Sequence, residues 1–140
     1  MRVLIDTNVA ITYISGRDDP FAHDIEKIMQ LCAEETIEGI LAFHSISIIW
    51  YVSRKAPDTE RRKWIKKLCT LLTVSGADNQ MIIGAIDNTD FKDFEDALQD
   101  CCAVESEADY IVTANKRDFV NHSMVTPVTP EEFLSIYCKN

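Results

Sequence analysis

Glycine is scarce in this chain, and the four that occur are widely separated: Gly16, Gly39, Gly76 and Gly84. This spacing excludes a glycine-rich loop that cradles phosphate groups. The three histidines do not have the spacing of a zinc site, and no G-x-S-x-G motif occurs. Zinc chemistry and the nucleophile elbow of serine hydrolases are therefore excluded as explanations of function.

The five cysteines form no C-x-x-C pair, and their odd number argues against a framework of disulfides. They predict reduced, mostly buried thiols in a cytoplasmic protein. No apolar stretch is long enough to cross a bilayer, and Asp6 and Asn8 interrupt the apolar N-terminus too early for a signal peptide. Since 46% of the 140 residues are hydrophobic, we expect a single domain over residues 1–140 with a substantial core.

Basic residues are also few, since 14 Lys and Arg stand against 23 Asp and Glu, for a net charge of −9. This balance argues against a protein that coats nucleic acid. It is compatible with an enzyme that contacts nucleic acid through a metal and one basic patch. Seven of the 14 basic residues lie in one stretch: Arg54, Lys55, Arg61, Arg62, Lys63, Lys66 and Lys67.

That basic stretch is either the solvated face of a helix or a flank that binds phosphate groups. In the second interpretation, Arg61, Arg62 and Lys63 of this stretch bind RNA. Lys116 and Arg117 also bind RNA, at a place nearer to a metal.

Apolar segments alternate with helical patterns along the chain. Strands are expected at residues 2–5, 40–43, 74–76, 110–113 and 125–128. Helices are expected at residues 6–15, from 18, at 45–54, from 58, at 79–86, from 90 to 107, and from 130 with Thr129 as the cap. Strands separated by helices predict an α/β domain of three layers, in which a mainly parallel sheet carries helices on both faces.

The first strand ends directly on an acid. Val3, Leu4 and Ile5 are branched and aliphatic, as a strand buried on both faces requires, and Asp6 follows them. Open α/β sheets keep their ligand crevices at the carboxyl edge of the strands. A buried carboxylate without a partner is costly, so Asp6 needs a metal, a cation or several hydrogen-bond donors.

A second group of acids shares one helix face, because Asp93, Asp96 and Asp100 are spaced i, i+3 and i+7. Three like charges repel unless a cation joins them, although solvated acidic faces are common. Asp93 suits the stabilisation of the helix dipole. Asp96 borders the apolar stripe of the helix and can turn toward the sheet edge, which makes it a candidate metal ligand.

A third group follows the strand at residues 110–113, where Thr113 is succeeded by Asn115 and Asp118. If this strand neighbours the first, these polar groups converge with Asp6 and Asp96 into an oxygen-rich cluster. Oxygen ligands select Mg²⁺ or Mn²⁺, and such a site can activate water for attack at phosphorus. Asp118 can also be read as a simple turn acid.

On three segments in family order, the chain resembles PIN-domain proteins, the fold of VapC-type toxins. The segments are Leu4–Asn8, Asp93–Gln99 and Ala108–Phe119. The resemblance implies a parallel sheet with helices on both sides and a Mg²⁺-dependent nuclease that usually acts on RNA. It also implies an antitoxin partner and often a homodimer.

The resemblance further implies roles for individual residues. Asp6 and Asp96 would be the metal ligands, and Asn115, or otherwise Asp118, would fill the last polar position. Thr7, Asn8 and Thr113 would support the site. We count Asp93 among the supporting residues as well, because it lies at the start of the helix that carries Asp96.

The chain departs from the family pattern in the helix after the second strand, where the family usually has a Glu. The position that matches best is Trp50, and no acid lies between Glu38 and Asp58. We therefore expect a Mg²⁺-dependent ribonuclease with a weakened second metal position. The alternative is a PIN fold that binds RNA or a protein partner without cutting.

Overall fold

A computed structural model describes residues 1–119 and 121–140. Within these residues five strands form one sheet: β1 Arg2–Ile5, β2 Glu38–Ala42, β3 Thr73–Ser75, β4 Tyr110–Val112 and β5 Thr126–Val128. The helices are α1 Thr7–Ser15, α2 Ala22–Ala33, α3 Phe43–Val52, α4 Asp58–Leu71, α5 Asn79–Asp87, α6 Phe94–Glu105 and α7 Pro130–Lys139. A short 3₁₀ helix spans Lys116–Asp118.

The sheet is parallel throughout, with the strand order β3-β2-β1-β4-β5. Val3, Leu4 and Ile5 of the central strand β1 are fully buried. Val3 and Ile5 pack into a core cluster with residues of α1, α2 and α7, whereas Leu4 packs into a second cluster with residues of α5 and α6. Helices therefore cover both faces, which confirms the predicted three-layer α/β fold.

Strand β1 is the point at which the order of the sheet reverses, because β2 lies on one side of it and β4 on the other. Ile5 is in register with Val112, and the backbone N–H of Asp6 donates to the Val112 carbonyl at 3.0 Å. Asp6 and Thr113 therefore lie side by side at the ends of two neighbouring strands. Such reversal points at the carboxyl edge are where open α/β sheets bind their ligands.

Helix α6 begins later than the sequence predicts. Asp93 caps it, with a side-chain oxygen that accepts the Glu95 backbone N–H at 2.8 Å, whereas Asp90 lies in the preceding turn and its backbone N–H donates to the Asn88 side chain. Because an Asx cap needs a donor two or three residues ahead, only Asp93 is placed to cap the first turn. The carboxylate of Asp96 thus lies within the first turn of α6.

The terminal helix α7 begins as predicted. Thr129 and Glu132 form a capping box, and Pro130 occupies the first helical position. Helix α3 begins at Phe43, immediately after β2, so Phe43 is helical and not the last strand residue. This early start places His44 and Ser45 in the first turn of α3, at the carboxyl edge of the sheet.

The cysteines are all free, as predicted, but they are not mostly buried. Cys32 and Cys102 are buried, while Cys69 and Cys138 are exposed. The two exposed thiols lie on α4 and α7, whose outer faces are solvated. In the described ranges, no helix has the length and apolar character that a membrane span requires.

Candidate active site

Asp6 follows β1 and provides a buried carboxylate at the sheet edge, with only 5% of the residue exposed. Its Oδ2 accepts a hydrogen bond from the Thr113 hydroxyl at 2.8 Å. Burial raises the pKa of Asp6 to about 6, against the hydrogen bond from Thr113, and repulsion from Glu95 adds to the rise. The predicted convergence of Asp6 with the end of β4 is therefore present.

Asp96 is a buried acid whose negative charge is not stabilised by a hydrogen bond from the described residues. The residue is 7% exposed, and no described donor forms a hydrogen bond with its carboxylate. Burial, followed by repulsion from neighbouring acids, raises its pKa to about 8. The acids that act on it are Glu95, Asp6, Asp93 and Asp118, in decreasing order. A bound cation would stabilise the ionised form of such a carboxylate.

The loop after β4 brings the remaining predicted site residues to the same place. The Asn115 backbone N–H donates to the Thr113 hydroxyl at 3.0 Å, and the Asn115 side-chain amide donates to Asp118. Asp118 lies near enough to raise the pKa of both Asp6 and Asp96. Asp118 is thus a member of the acidic cluster as well as a turn acid.

Glu95 is a fourth acid of this cluster that the sequence prediction missed. Its Oε1 accepts hydrogen bonds from the Thr7 hydroxyl at 2.9 Å and the Gln99 amide at 2.7 Å, and lies 3.2 Å from His44 Nε2. Burial raises the pKa of Glu95, but the hydrogen bonds from these three neighbours outweigh burial and lower it overall. The signal in the sequence was the adjacent Glu-Asp pair within Asp93–Gln99.

Glu95 is hydrogen-bonded to a buried network of polar side chains. The Thr7 and Ser45 hydroxyls lie 2.7 Å apart, and the Gln99 amide nitrogen lies 2.6 Å from Thr7 and 3.0 Å from Ser45. The network joins the first turns of α1 and α3 to α6. Thr7 therefore supports the site through Glu95, which gives a concrete form to the supporting role predicted for it.

Other residues singled out in the sequence have structural roles. Asn8 is exposed, and its backbone carbonyl accepts a hydrogen bond from Arg17 at 3.2 Å. Asp100 accepts the backbone N–H groups of Met124 and Val125 at 3.0–3.3 Å, which ties the loop before β5 to α6. Asp100 therefore does not share the role of Asp96, although both lie on one helix face.

Trp50 packs between helices α3 and α4. The Arg61 guanidinium lies 3.9 Å from the centroid of the indole ring and also donates to the Trp50 backbone carbonyl at 3.3 Å, and Arg62 lies 5.5 Å from the ring centroid. On α3, the residues that reach the acidic cluster are His44 and Ser45. The position matched to the family's Glu thus serves the contact between α3 and α4.

Most of the predicted RNA-binding residues have partners on the protein itself. Arg62 pairs with Asp58 at 2.9 Å, and Lys116 pairs with Glu132 at 3.0 and 3.1 Å. Lys63 is exposed. These contacts favour the structural interpretation for Arg61, Arg62 and Lys116, because their charges are already engaged.

Arg117 is placed differently, beside the acids. It lines an open cavity of about 300 Å³ whose walls also include Asp96 and Asp118. The remaining lining residues are Lys92, Asp93 and His122. The lining of this cavity therefore combines acids with the cations Lys92 and Arg117.

The donor set of this cluster fits Mg²⁺ or Mn²⁺ held in an open site. In the described part of the chain, no three His, Cys, Asp or Glu side chains converge closely enough to enclose a metal ion. Mg²⁺ does not need such an enclosure, since it keeps several waters and binds through one or two carboxylates. Asp6 and Asp96, which are buried and crowded by like charge, supply two carboxylates of this kind.

A family model described as PIN domain matches residues 2–117. This chain belongs to the PIN domain family. No curated protein matches it significantly. The matched range contains Asp6, the Glu95–Asp96 pair and Asn115, and it ends one residue before Asp118.

The PIN domain of this chain has the fold of several solved toxin–antitoxin proteins. One is VapBC2 from Rickettsia felis, whose structure was solved with a DNA fragment from its promoter. Its sequence is 14% identical, the TM-score is 0.68, and the match covers 92% of this chain and 98% of that chain. VapBC-1 from nontypeable Haemophilus influenzae is 17% identical with a TM-score of 0.65, covering 94% and 99%. Mycobacterium tuberculosis VapC20, a sarcin-ricin loop cleaving toxin, is 15% identical with a TM-score of 0.57, covering 78% and 86%. At these identities the likeness is one of fold.

Proposed function

We propose that this PIN domain is a Mg²⁺-dependent ribonuclease of toxin type, which hydrolyses RNA phosphodiester bonds. The observation that carries the proposal is the pair of buried carboxylates, Asp6 and Asp96, at the reversal point of the sheet, with Asp118 near enough to repel both. Stability alone does not account for it, because burying like charges together is costly unless a cation joins them. VapC20, which shares the fold, is a toxin that cleaves the sarcin-ricin loop.

In this proposal Asp6 and Asp96 hold the metal, and Thr113 fixes the carboxylate of Asp6 through its 2.8 Å hydrogen bond. Asn115, or otherwise Asp118, fills the last polar position, and the Asn115 side-chain amide donates a hydrogen bond to Asp118. A bound Mg²⁺ would supply the activation of a water molecule and the neutralisation of charge at phosphorus. The chain supplies position, burial and negative charge.

The substrate phosphate would lie in the cavity whose lining includes the cations Arg117 and Lys92. Because the protein has a net charge of −9, attraction for RNA must come from such a local group of cations and from the metal. Arg117 is the best placed of the predicted RNA-binding residues, since it shares the cavity with Asp96.

A second candidate is a PIN fold that binds RNA or a protein partner without cutting it. The favouring observations are that α3 carries no acid and that an amide, Asn115, stands after β4. Both reduce the negative charge available to a metal. This candidate predicts RNA binding that does not depend on divalent metal.

We include an antitoxin partner in the proposal, because the Rickettsia felis and Haemophilus influenzae proteins that share this fold are VapBC proteins. We include a cytoplasmic location on the ground of the five free cysteines. A homodimer is proposed with them. Co-expression with the product of any neighbouring small reading frame, followed by co-purification and light scattering, tests both forms of assembly. Recovery of the chain alone as a monomer would contradict them.

The decisive experiment incubates the purified protein with a panel of structured RNAs in EDTA, Mg²⁺ or Mn²⁺. Cleavage that requires the metal and is lost in Asp96→Asn is expected. Glu105→Gln is the matched control, because Glu105 is an exposed acid at the other end of the same helix. Metal-independent binding without cleavage would favour the second candidate.

A further inference from the structure

A second open cavity, of about 450 Å³, lies at the end of α1 that is farther from the acidic cluster. Its walls come from the last turn of α1 and the residues that follow it, the start of α2, and α4, and we call it the α1–α4 cavity. The lining side chains that can ionise or form hydrogen bonds are Thr12, Tyr13, Arg17, His23, Glu26 and Lys67. Two permanent cations, Arg17 and Lys67, therefore share this lining with one acid.

Arg17 is fixed in this cavity by groups that do not neutralise its charge. Its Nε donates to the Thr12 hydroxyl at 2.8 Å, and its Nη2 donates to the backbone carbonyl of Asn8 at 3.2 Å. Both acceptors are neutral, and among the described residues no carboxylate forms a salt bridge with this guanidinium. The remaining N–H groups are available to an oxyanion, and phosphate is an oxyanion that guanidinium groups bind in bidentate geometry.

Lys67 enters the same cavity from α4. Its Nζ lies 4.8 Å from the centroid of the Tyr13 ring, a contact that positions the ammonium group and leaves its charge in place. Like Arg17, it has no salt bridge within the described part of the chain, whereas Arg62 and Lys116 each pair with a carboxylate. In a protein with a net charge of −9, two positioned cations without acidic partners are suited to an anionic ligand.

We propose that the α1–α4 cavity binds a backbone phosphate of the RNA substrate, outside the bond that is cleaved. This inference rests on the proposed function, since it adds a second contact for the same substrate. Arg17 links the two places, because its side chain runs back along α1 to the carbonyl of Asn8, which follows Asp6 by two positions. Helix α1 has nine residues and is about 14 Å long, so one RNA strand that passes the sheet edge can reach the cavity.

An acidic segment of a protein partner is the competing ligand, because carboxylates also pair with Arg and Lys. RNA is favoured by continuity with the candidate active site, which the Arg17 side chain provides along α1. Phosphates recur along an RNA strand, so one molecule can contact Arg117 beside Asp96 and Arg17 in the α1–α4 cavity together. The two ligands are distinguished by which binding partner the variants lose.

The experiment measures binding of a fluorescently labelled, single-stranded RNA of mixed sequence by anisotropy, in EDTA and in Mn²⁺, at several salt concentrations. We expect Arg17→Gln and Lys67→Gln each to weaken binding several-fold and to reduce the slope of log affinity against log salt by about one. Arg17→Lys should recover part of the loss, because it keeps the charge. Lys66→Gln is the matched control, since Lys66 is an exposed lysine next to Lys67 on α4 that does not line the cavity. It should bind RNA nearly as the wild type does.

Arg117→Gln separates this inference from the proposed function. If the wild type neither binds nor cleaves RNA, both are wrong. If Arg117→Gln weakens RNA binding while Arg17→Gln and Lys67→Gln bind it like Lys66→Gln, the contact at the candidate active site stands and the role of the α1–α4 cavity is overturned. Variants that keep their RNA affinity but lose a co-purified partner protein would assign the cavity to that partner, which also overturns the proposal. Melting temperatures show which variants are folded, and Lys67→Gln, at an exposed position, decides the outcome if Arg17→Gln does not fold.

Discussion

Charged residues are concentrated in two regions of this molecule, and the regions differ in whether the charges have partners. The basic residues of α4 find partners nearby, since Arg61 stacks on Trp50 and Arg62 pairs with Asp58. The acids at the carboxyl edge of the sheet are buried beside one another, and Asp96 has no hydrogen-bond donor among the described residues. Charge that is paired on the surface serves packing and solubility, whereas crowded buried charge is typical of a functional site.

Asp96→Asn should produce the largest effect in this comparison. Removing a charge that repels its neighbours leaves folding intact or improves it, but it takes a ligand from the metal. We expect metal-dependent RNA cleavage to fall by about 100-fold or more, the upper end of what loss of an outer-shell partner costs. Cleavage rates and melting temperatures measured on the same sample check this, with Glu105→Gln as the control. Cleavage at the wild-type rate would remove the acidic region from the mechanism.

Trp50→Ala should affect stability and not the metal. The indole ring lies under the Arg61 guanidinium and between two helices, so its loss should cost about 1–2 kcal/mol of unfolding free energy. Urea denaturation measures the cost, and calorimetry should show unchanged Mn²⁺ affinity. Trp50→Glu should likewise add no Mn²⁺ binding. A second bound Mn²⁺ in that variant would show that Trp50 does face the site, as the family pattern alone suggests.

The pH dependence of stability should differ between the two regions. The raised pKa values of Asp6, about 6, and Asp96, about 8, mean that the folded chain binds protons that the unfolded chain, with a value near 3.8, has already lost. The free energy of unfolding therefore falls as pH rises from about 4 to about 8 in metal-free protein. Melting curves in EDTA should show this decline, and Asp96→Asn should flatten its upper part. Identical curves for the two proteins would contradict the repulsion among the acids.

Arg117→Gln should have the smallest effect, on RNA affinity. If Arg117 binds a backbone phosphate beside Asp96, its loss should weaken binding several-fold and reduce the slope of log affinity against log salt by about one. Arg62→Gln should change neither quantity to the same extent, because Arg62 already pairs with Asp58. Gel-shift titrations at several salt concentrations compare the two. Equal effects would mean that α4 contributes as much to RNA binding as the cavity does.

The sheet and much of the site could be predicted from the sequence, because the decisive signals are local. Three branched aliphatic residues before Asp6 indicate a buried strand, and parallel strands bring their carboxyl ends to one edge. Thr113 is placed beside Asp6 by the same rule. The network around Glu95 was beyond such reasoning, since His44 and Glu95 are 51 positions apart and adjacent helical residues do not share a face.

Trp50 shows why a matched position is not a matched role. Its place in the sequence agrees with the family's acidic position, but its orientation depends on how α3 packs against α4. That packing includes the stacking of Arg61, which lies 11 positions away and across a turn. Neither the period of α3 nor its composition specifies that contact.

The hydrogen bond between Thr113 and Asp6 joins residues separated by 107 positions along the chain. During translation, the ribosome makes Asp6 almost at once, but its partners at the end of β4 emerge only after most of the polypeptide has been synthesised. Contacts this distant also form late and slowly in folding. A chain that stops before residue 113 therefore lacks Thr113, Asn115 and Asp118, and its cluster is incomplete. If the domain cuts RNA as proposed, the machinery that synthesises it is spared from its activity until synthesis is nearly complete.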